Sequence, residues 1–166
     1  MTSGRLTIGM LSALLAASMI FSAALLVHRA DVLSATLQGV DAAVGEIQFA
    51  GYDLEQDPSP AEQRNVAYVV MQAVGQLMEA APVLGQEGYD RDAVYGFAID
   101  LMTYTGKLEA GTESRVVLRH QARALAGLPS MLSPTYRKDS ADVLSRRFLD
   151  DMAKVSIRFI AAGVFE

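Results

Sequence analysis

The sequence predicts an all-α protein in which a single N-terminal transmembrane helix continues into an antiparallel bundle of four to five helices. Three observations carry this expectation. Leu6 to Val27 is an uncharged run of 22 residues. Apolar residues then recur at three- and four-residue steps through the rest of the chain, the spacing of one helix face. No stretch combines strict two-residue alternation with the β-branched enrichment of a strand.

The first run is LTIGMLSALLAASMIFSAALLV. As a helix it is about 33 Å long, enough to cross a hydrocarbon core of about 30 Å. A helix is also the one single-segment structure that pairs its own backbone polar groups in lipid. A cleaved signal peptide has a shorter apolar core and a small-x-small site; here His28 stands where a small residue should precede Ala30. Residues 1–27 are therefore expected to be an uncleaved signal anchor, and residues 28–166 an extramembrane domain. Arg5 precedes the span without an acid, whereas Arg29 is followed by Asp31 and Asp41. By the positive-inside rule this places the N-terminus inside and the domain outside, periplasmic for a bacterial inner-membrane protein. Arginine outnumbers lysine and alanine is abundant, a composition typical of a GC-rich bacterial genome. Gly9, Ala13 and Ala17 recur every four residues, a small-residue face that lets helices approach closely in lipid.

Beyond the span, Leu33, Leu37, Val40, Val44, Ile47 and Leu54 follow alternating four- and three-residue steps, with Gly51 in the remaining slot. This heptad seam and the lack of proline before Pro58 predict one rod to about Glu55. Asp57-Pro58-Ser59-Pro60 ends it, and Ser59 with Glu62 forms a capping box for the next helix. That helix is expected to reach about Ala81, with Val66, Val69, Val70, Ala73, Val74 and Leu77 on its core face and a loop from Pro82 to Tyr89. Asp90 or Asp92 caps a third helix to about Glu109, facing the core with Val94, Phe97, Ala98, Leu101, Tyr104 and Leu108. A fourth covers about Glu113 to Ala126. After a loop with Pro129 and Pro134, a last helix starts near Ser140 and carries Leu144, Phe148, Met152, Val155, Phe159 and Ile160 into an apolar tail.

Composition excludes several chemistries. The chain has no cysteine, so disulfide partners, thiolate metal sites and cysteine nucleophiles are ruled out. With His28 and His120 alone, no histidine cluster can form, and no cofactor or metal is expected. The net charge of −5 and the lack of a recognition motif argue against nucleic acid. The charge is uneven: residues 28–110 hold 13 acids against 4 bases, and residues 111–166 hold 6 against 9. Within the basic part, Arg115, Arg119 and Arg123 form a stripe beside His120, the candidate contact for an anion or an acidic partner; its alternative is a solvated face paired with the acidic half. Glu87, Gly88, Asp90 and Asp92 fall short of the oxygen series of a calcium loop.

A first membrane helix running into an acidic extracytoplasmic bundle resembles the input half of bacterial chemoreceptors, and the opening Gly4-Arg5-Leu6-Thr7-Ile8-Gly9 has the same character. The likeness is one of topology. The function expected from the residues is non-enzymatic: a single-pass accessory or structural subunit of a bacterial membrane assembly, touching lipid and other subunits or copies of itself. The alternative is a periplasmic bundle that senses or binds a small ligand.

Overall fold

The computed structural model describes the backbone of residues 3–111 and 114–129, with side chains from Leu14 onward. These residues form four helices and, among them, no strand: α1 (Ser3–Glu55), α2 (Pro60–Gln86), α3 (Arg91–Ala110) and α4 (Arg115–Ala126). The chain divides into two compact units, Met1–Ala35 and Thr36–Glu166.

In the first unit, Leu14, Leu15, Met19, Ile20, Phe21, Leu26 and Val27 are all exposed, up to 71% for Ile20. They point in every direction around the helix. An apolar surface of this kind has no buried side to prefer, unlike the one-sided stripe of a helix in a soluble core. Helix α1 meets the length and composition needed to cross a membrane. Helix α2 meets them as well, but nearly half of its apolar stretch is buried against protein, as in a core helix.

In the second unit the seam of α1 turns inward. Val40, Val44, Ile47 and Leu54 are fully buried, while Leu33 in the first unit and Leu37 are half-buried. Helix α1 stops at Glu55 because Asp57 adopts a left-handed conformation (φ 60°) and Pro58 cannot continue the helix. Ser59 then caps α2 in full: its hydroxyl accepts from the Glu62 amide at 3.4 Å, and the Glu62 carboxylate accepts from the Ser59 amide at 2.7 Å. The Ser59 side-chain and backbone hydrogen bonds hold the Glu62 carboxyl below its ordinary value. A depressed folded value means that the ionised carboxylate adds stability above the ordinary carboxylate range and loses that contribution as pH falls through the folded value. Separately, loss of an N-cap serine ordinarily costs about 1 kcal/mol, and Ser59→Ala is expected to do the same at neutral pH. In denaturation series against pH, the gap between wild type and variant should narrow below about pH 4; a constant gap would show that Glu62 plays no part in the cap.

The expected end of α2 at Ala81 is corrected: the helix passes through Pro82 and ends at Gln86. Proline removes one amide donor and so one bond of the helix ladder. The extra turn persists because Ala81 and Leu84 are fully buried and because the end is closed by a Schellman motif. Gly88 sits at φ 80°, the Tyr89 amide donates to the Leu84 carbonyl at 3.0 Å, and the Gly88 amide donates to the Gly85 carbonyl at 3.2 Å. Five of the six expected core residues of α2 are buried; Val69 is half-buried.

Asp90 caps α3, accepting from the Ala93 amide at 3.0 Å, and Gly111 (φ 61°) ends it. All six residues expected on its core face are fully buried. Ser114 caps α4, which starts at Arg115, two residues later than expected. Helix α2 packs along α3. The Tyr104 hydroxyl of α3 meets the Gln121 carboxamide of α4 at 3.2 Å inside the core. Helix α4 lies on the end of α1. Gly51 abuts Ala122 and Ala126, Gln48 donates to the Ala126 carbonyl at 3.3 Å, and Asp57 pairs with Arg115 at 3.3 Å. As the α1 numbers rise their α4 partners fall, so the two helices are antiparallel. The expected last helix, with Leu144, Phe148, Met152, Val155, Phe159 and Ile160, lies outside the described residues.

Candidate functional site

Three surfaces of the described residues have the chemistry to meet something outside the chain. The first is the apolar belt of α1. Ala17 of the small-residue face is exposed; Gly9 and Ala13 lie within α1, with side chains outside the described set.

The second is the arginine stripe. Arg115, Arg119 and Arg123 are all exposed on α4, as are His120 and Val116. Arg115 is paired with Asp57, one of the acids of the acidic half. No ion pair among the described residues engages Arg119 or Arg123. The stripe is thus partly joined to the acidic half and partly open to water. None of its arginines is buried as a ligand-binding arginine within the core would be.

The third surface was not singled out by the sequence. Where α1 ends and α2 begins, a half-open cleft of about 370 Å³ is lined by Asp53, Gln56, Pro58, Glu62, Asn65, Val66 and Val69. Its lining combines the apolar Pro58, Val66 and Val69 with two carboxylates and two carboxamides. The Glu62 carboxylate already serves Ser59, which leaves Asp53 as the carboxylate with no such commitment. The arrangement suits a cation with an apolar stem. A sequence signal existed in the acid-rich run Asp53, Glu55, Asp57, Glu62, but only the fold over Pro58 brings its two ends together.

A more open hollow of about 510 Å³ lies at the α2–α3 turn, with Asp90, Arg91 and Asp92 on its wall. Asp90 caps α3 and Asp92 is bonded to Arg91 at 3.1 Å. Among the described residues, no three His, Asp or Glu side chains converge as metal ligands.

Between α1 and α2, Gln76 donates to one oxygen of Glu46 at 3.2 Å. The other Glu46 oxygen and the Gln76 carbonyl oxygen are buried without a partner. Removing one member of such a pair strands the other, whereas replacing both with apolar groups of similar shape removes the penalty. Glu46→Leu with Gln76→Leu is expected to be at least as stable as wild type, and Gln76→Leu alone to be less stable by about 1–3 kcal/mol. Urea denaturation of the three proteins checks this; a double variant weaker than the single one would refute it.

Comparison with protein-family models, curated proteins and solved structures gives no match. The chemistry of these surfaces therefore carries the functional reading by itself.

Proposed function

We propose that this chain is a non-enzymatic, single-pass accessory or structural subunit of a bacterial membrane assembly. Residues 1–27 form its anchor, and residues 28–166 form an antiparallel bundle of four to five helices, placed on the periplasmic side of the inner membrane. The observation that carries the reading is the belt from Leu14 to Val27, apolar on all faces and exposed on all faces. In water such a surface has no favourable state; in lipid it needs no further cover. The exposed Arg119 and Arg123 and the cleft beside Asp53 supply polar surfaces for contacts with other subunits.

Purification from the native membrane in mild detergent tests the subunit reading: specific proteins should co-elute, and a lone monomer would overturn it. Orientation can be read without background labelling, because the chain has no cysteine. A single cysteine at the exposed position Glu79 should react with a membrane-impermeant maleimide in intact spheroplasts; labelling only after lysis would place the domain in the cytoplasm. The second reading, a ligand-binding bundle, is favoured by one observation, the 370 Å³ cleft, which lies at the lower end of small-molecule sites.

A further inference from the structure

We infer that the cleft at the α1–α2 turn receives Arg119 of a second copy of this chain, so that copies associate side by side through unlike surfaces. The inference deepens the subunit reading and rests on it. Three features of the bundle lead to it.

The first is chemical fit. A guanidinium offers five donors in a planar fork that matches a carboxylate in two-point contact. Asp53 provides that carboxylate. The carbonyl oxygens of Gln56 and Asn65 are acceptors for the remaining N–H groups. Val66 and Val69 give the lining apolar surface for the methylene stem, which arginine buries readily while its head stays polar. The Glu62 carboxylate adds a second negative charge at the wall while it caps α2.

The second is supply. Helix α4 presents Arg119 and Arg123 to solvent, and the ion pairs among the described residues engage neither. Arg115, one turn earlier, is held by Asp57 of its own chain. The chain therefore displays an exposed arginine donor and a cleft suited to one, with no residue of α4 among its lining.

The third is level. Helices α1 and α4 are antiparallel, with Gly51 against Ala122 and Ala126 and Asp57 against Arg115. Arg119 falls between these two pairings, opposite Leu54 and one residue from Asp53. Donor and receptor thus stand at the same height along the second unit. Copies whose second units lie in a common orientation therefore present donor and receptor at equal height. Because the two surfaces differ, the contact is heterologous and builds a ring or a row rather than a two-fold dimer.

The test uses the full chain carrying two different affinity tags, co-expressed and purified in mild detergent through one tag. Recovery of the second tag reads contact between copies, and co-elution of other proteins reads the subunit proposal separately. Wild type should recover the second tag. Asp53→Arg alone and Arg119→Asp alone should each lower recovery about tenfold or more. The two together in every copy should restore it, because the pair is re-formed with reversed polarity. Helix content by circular dichroism should be the same in all four proteins, since both positions are exposed. Absence of the second tag in wild type, insensitivity to either reversal, or failure of the double reversal to restore recovery would each overturn the inference. Loss of the second tag with other proteins still co-eluting would overturn it while leaving the subunit proposal standing.

Discussion

Replacing Gly51 with leucine is expected to be the most damaging single substitution in the second unit. Gly51 lies where α1 crosses α4. An ideal Cβ at this position would stand 2.8 Å from the Ala122 carbonyl oxygen and 2.9 Å from the Ala126 Cα, with the Ala126 amide nitrogen nearer still. These neighbours are backbone atoms, so no rotamer change relieves the clash; the helices must separate. Separation would open the contacts that bury Leu118, Ala122 and Leu125 and would break the Gln48 bond to Ala126. Even Gly51→Ala should cost about 3 kcal/mol, the upper part of the range for overpacking a tight interior. Gly51→Leu should exceed that and consume much of a stability that is ordinarily about 5–15 kcal/mol. Gly39 and Gly45 supply the control. A Cβ at either meets nothing within 4 Å, so alanine there should stabilise the helix by up to about 1 kcal/mol. Thermal and urea denaturation of the three alanine variants checks the contrast, and a Gly51→Ala protein as stable as Gly45→Ala would show that the crossing relaxes freely.

Two arginines in the apolar belt should have the second large effect. Leu15→Arg with Met19→Arg places two charges near the middle of the Leu6–Val27 run. By insertion scales each costs about 2.5–3.5 kcal/mol at the centre of a membrane helix. The double variant is expected to move from the carbonate-resistant membrane fraction into the soluble or rapidly degraded pool. Val116→Arg, which adds the same charge at a site exposed on α4, should leave fractionation unchanged. Retention of the Leu15→Arg, Met19→Arg chain in the carbonate-resistant fraction would refute membrane insertion through this belt.

How much of this was legible in the sequence varies from element to element. The end of α1 at Glu55 follows from local chemistry, because Pro58, Ser59 and Glu62 are turn and cap signals that need no tertiary partner. The core face of α3 follows from periodicity, because Val94, Phe97, Leu101, Tyr104 and Leu108 all point one way on a 3.6-residue helix. The end of α2 does not follow. The local rule stops a helix at Pro82, but burial of Leu84 and the left-handed Gly88 outweigh one missing donor. In the sequence Gly51 only fills the remaining slot of the seam; its meaning comes from the backbone of Ala122 and Ala126, some seventy residues later. The arginine stripe was visible as a stripe, whereas the cleft that matches it depends on the chain reversal over Pro58, and their common height depends on α1 and α4 running antiparallel. Short-range chemistry is written in neighbouring letters, and long-range pairing is not.

The buried pair Glu46 and Gln76 bears on a problem of alignment. The buried residues of α1 and α2 include Ala43, Val44, Ala50, Ala73, Val74 and Leu77, small or medium residues of similar shape. Such surfaces are smooth, and sliding one helix past the other by a turn would exchange one valine or alanine contact for another at little expense. A carboxylate and a carboxamide that meet at one offset alone remove that degeneracy, since every slipped arrangement strands two polar groups in the interior. The pair works as a detent: it fixes how far along α1 the returning helix is allowed to settle.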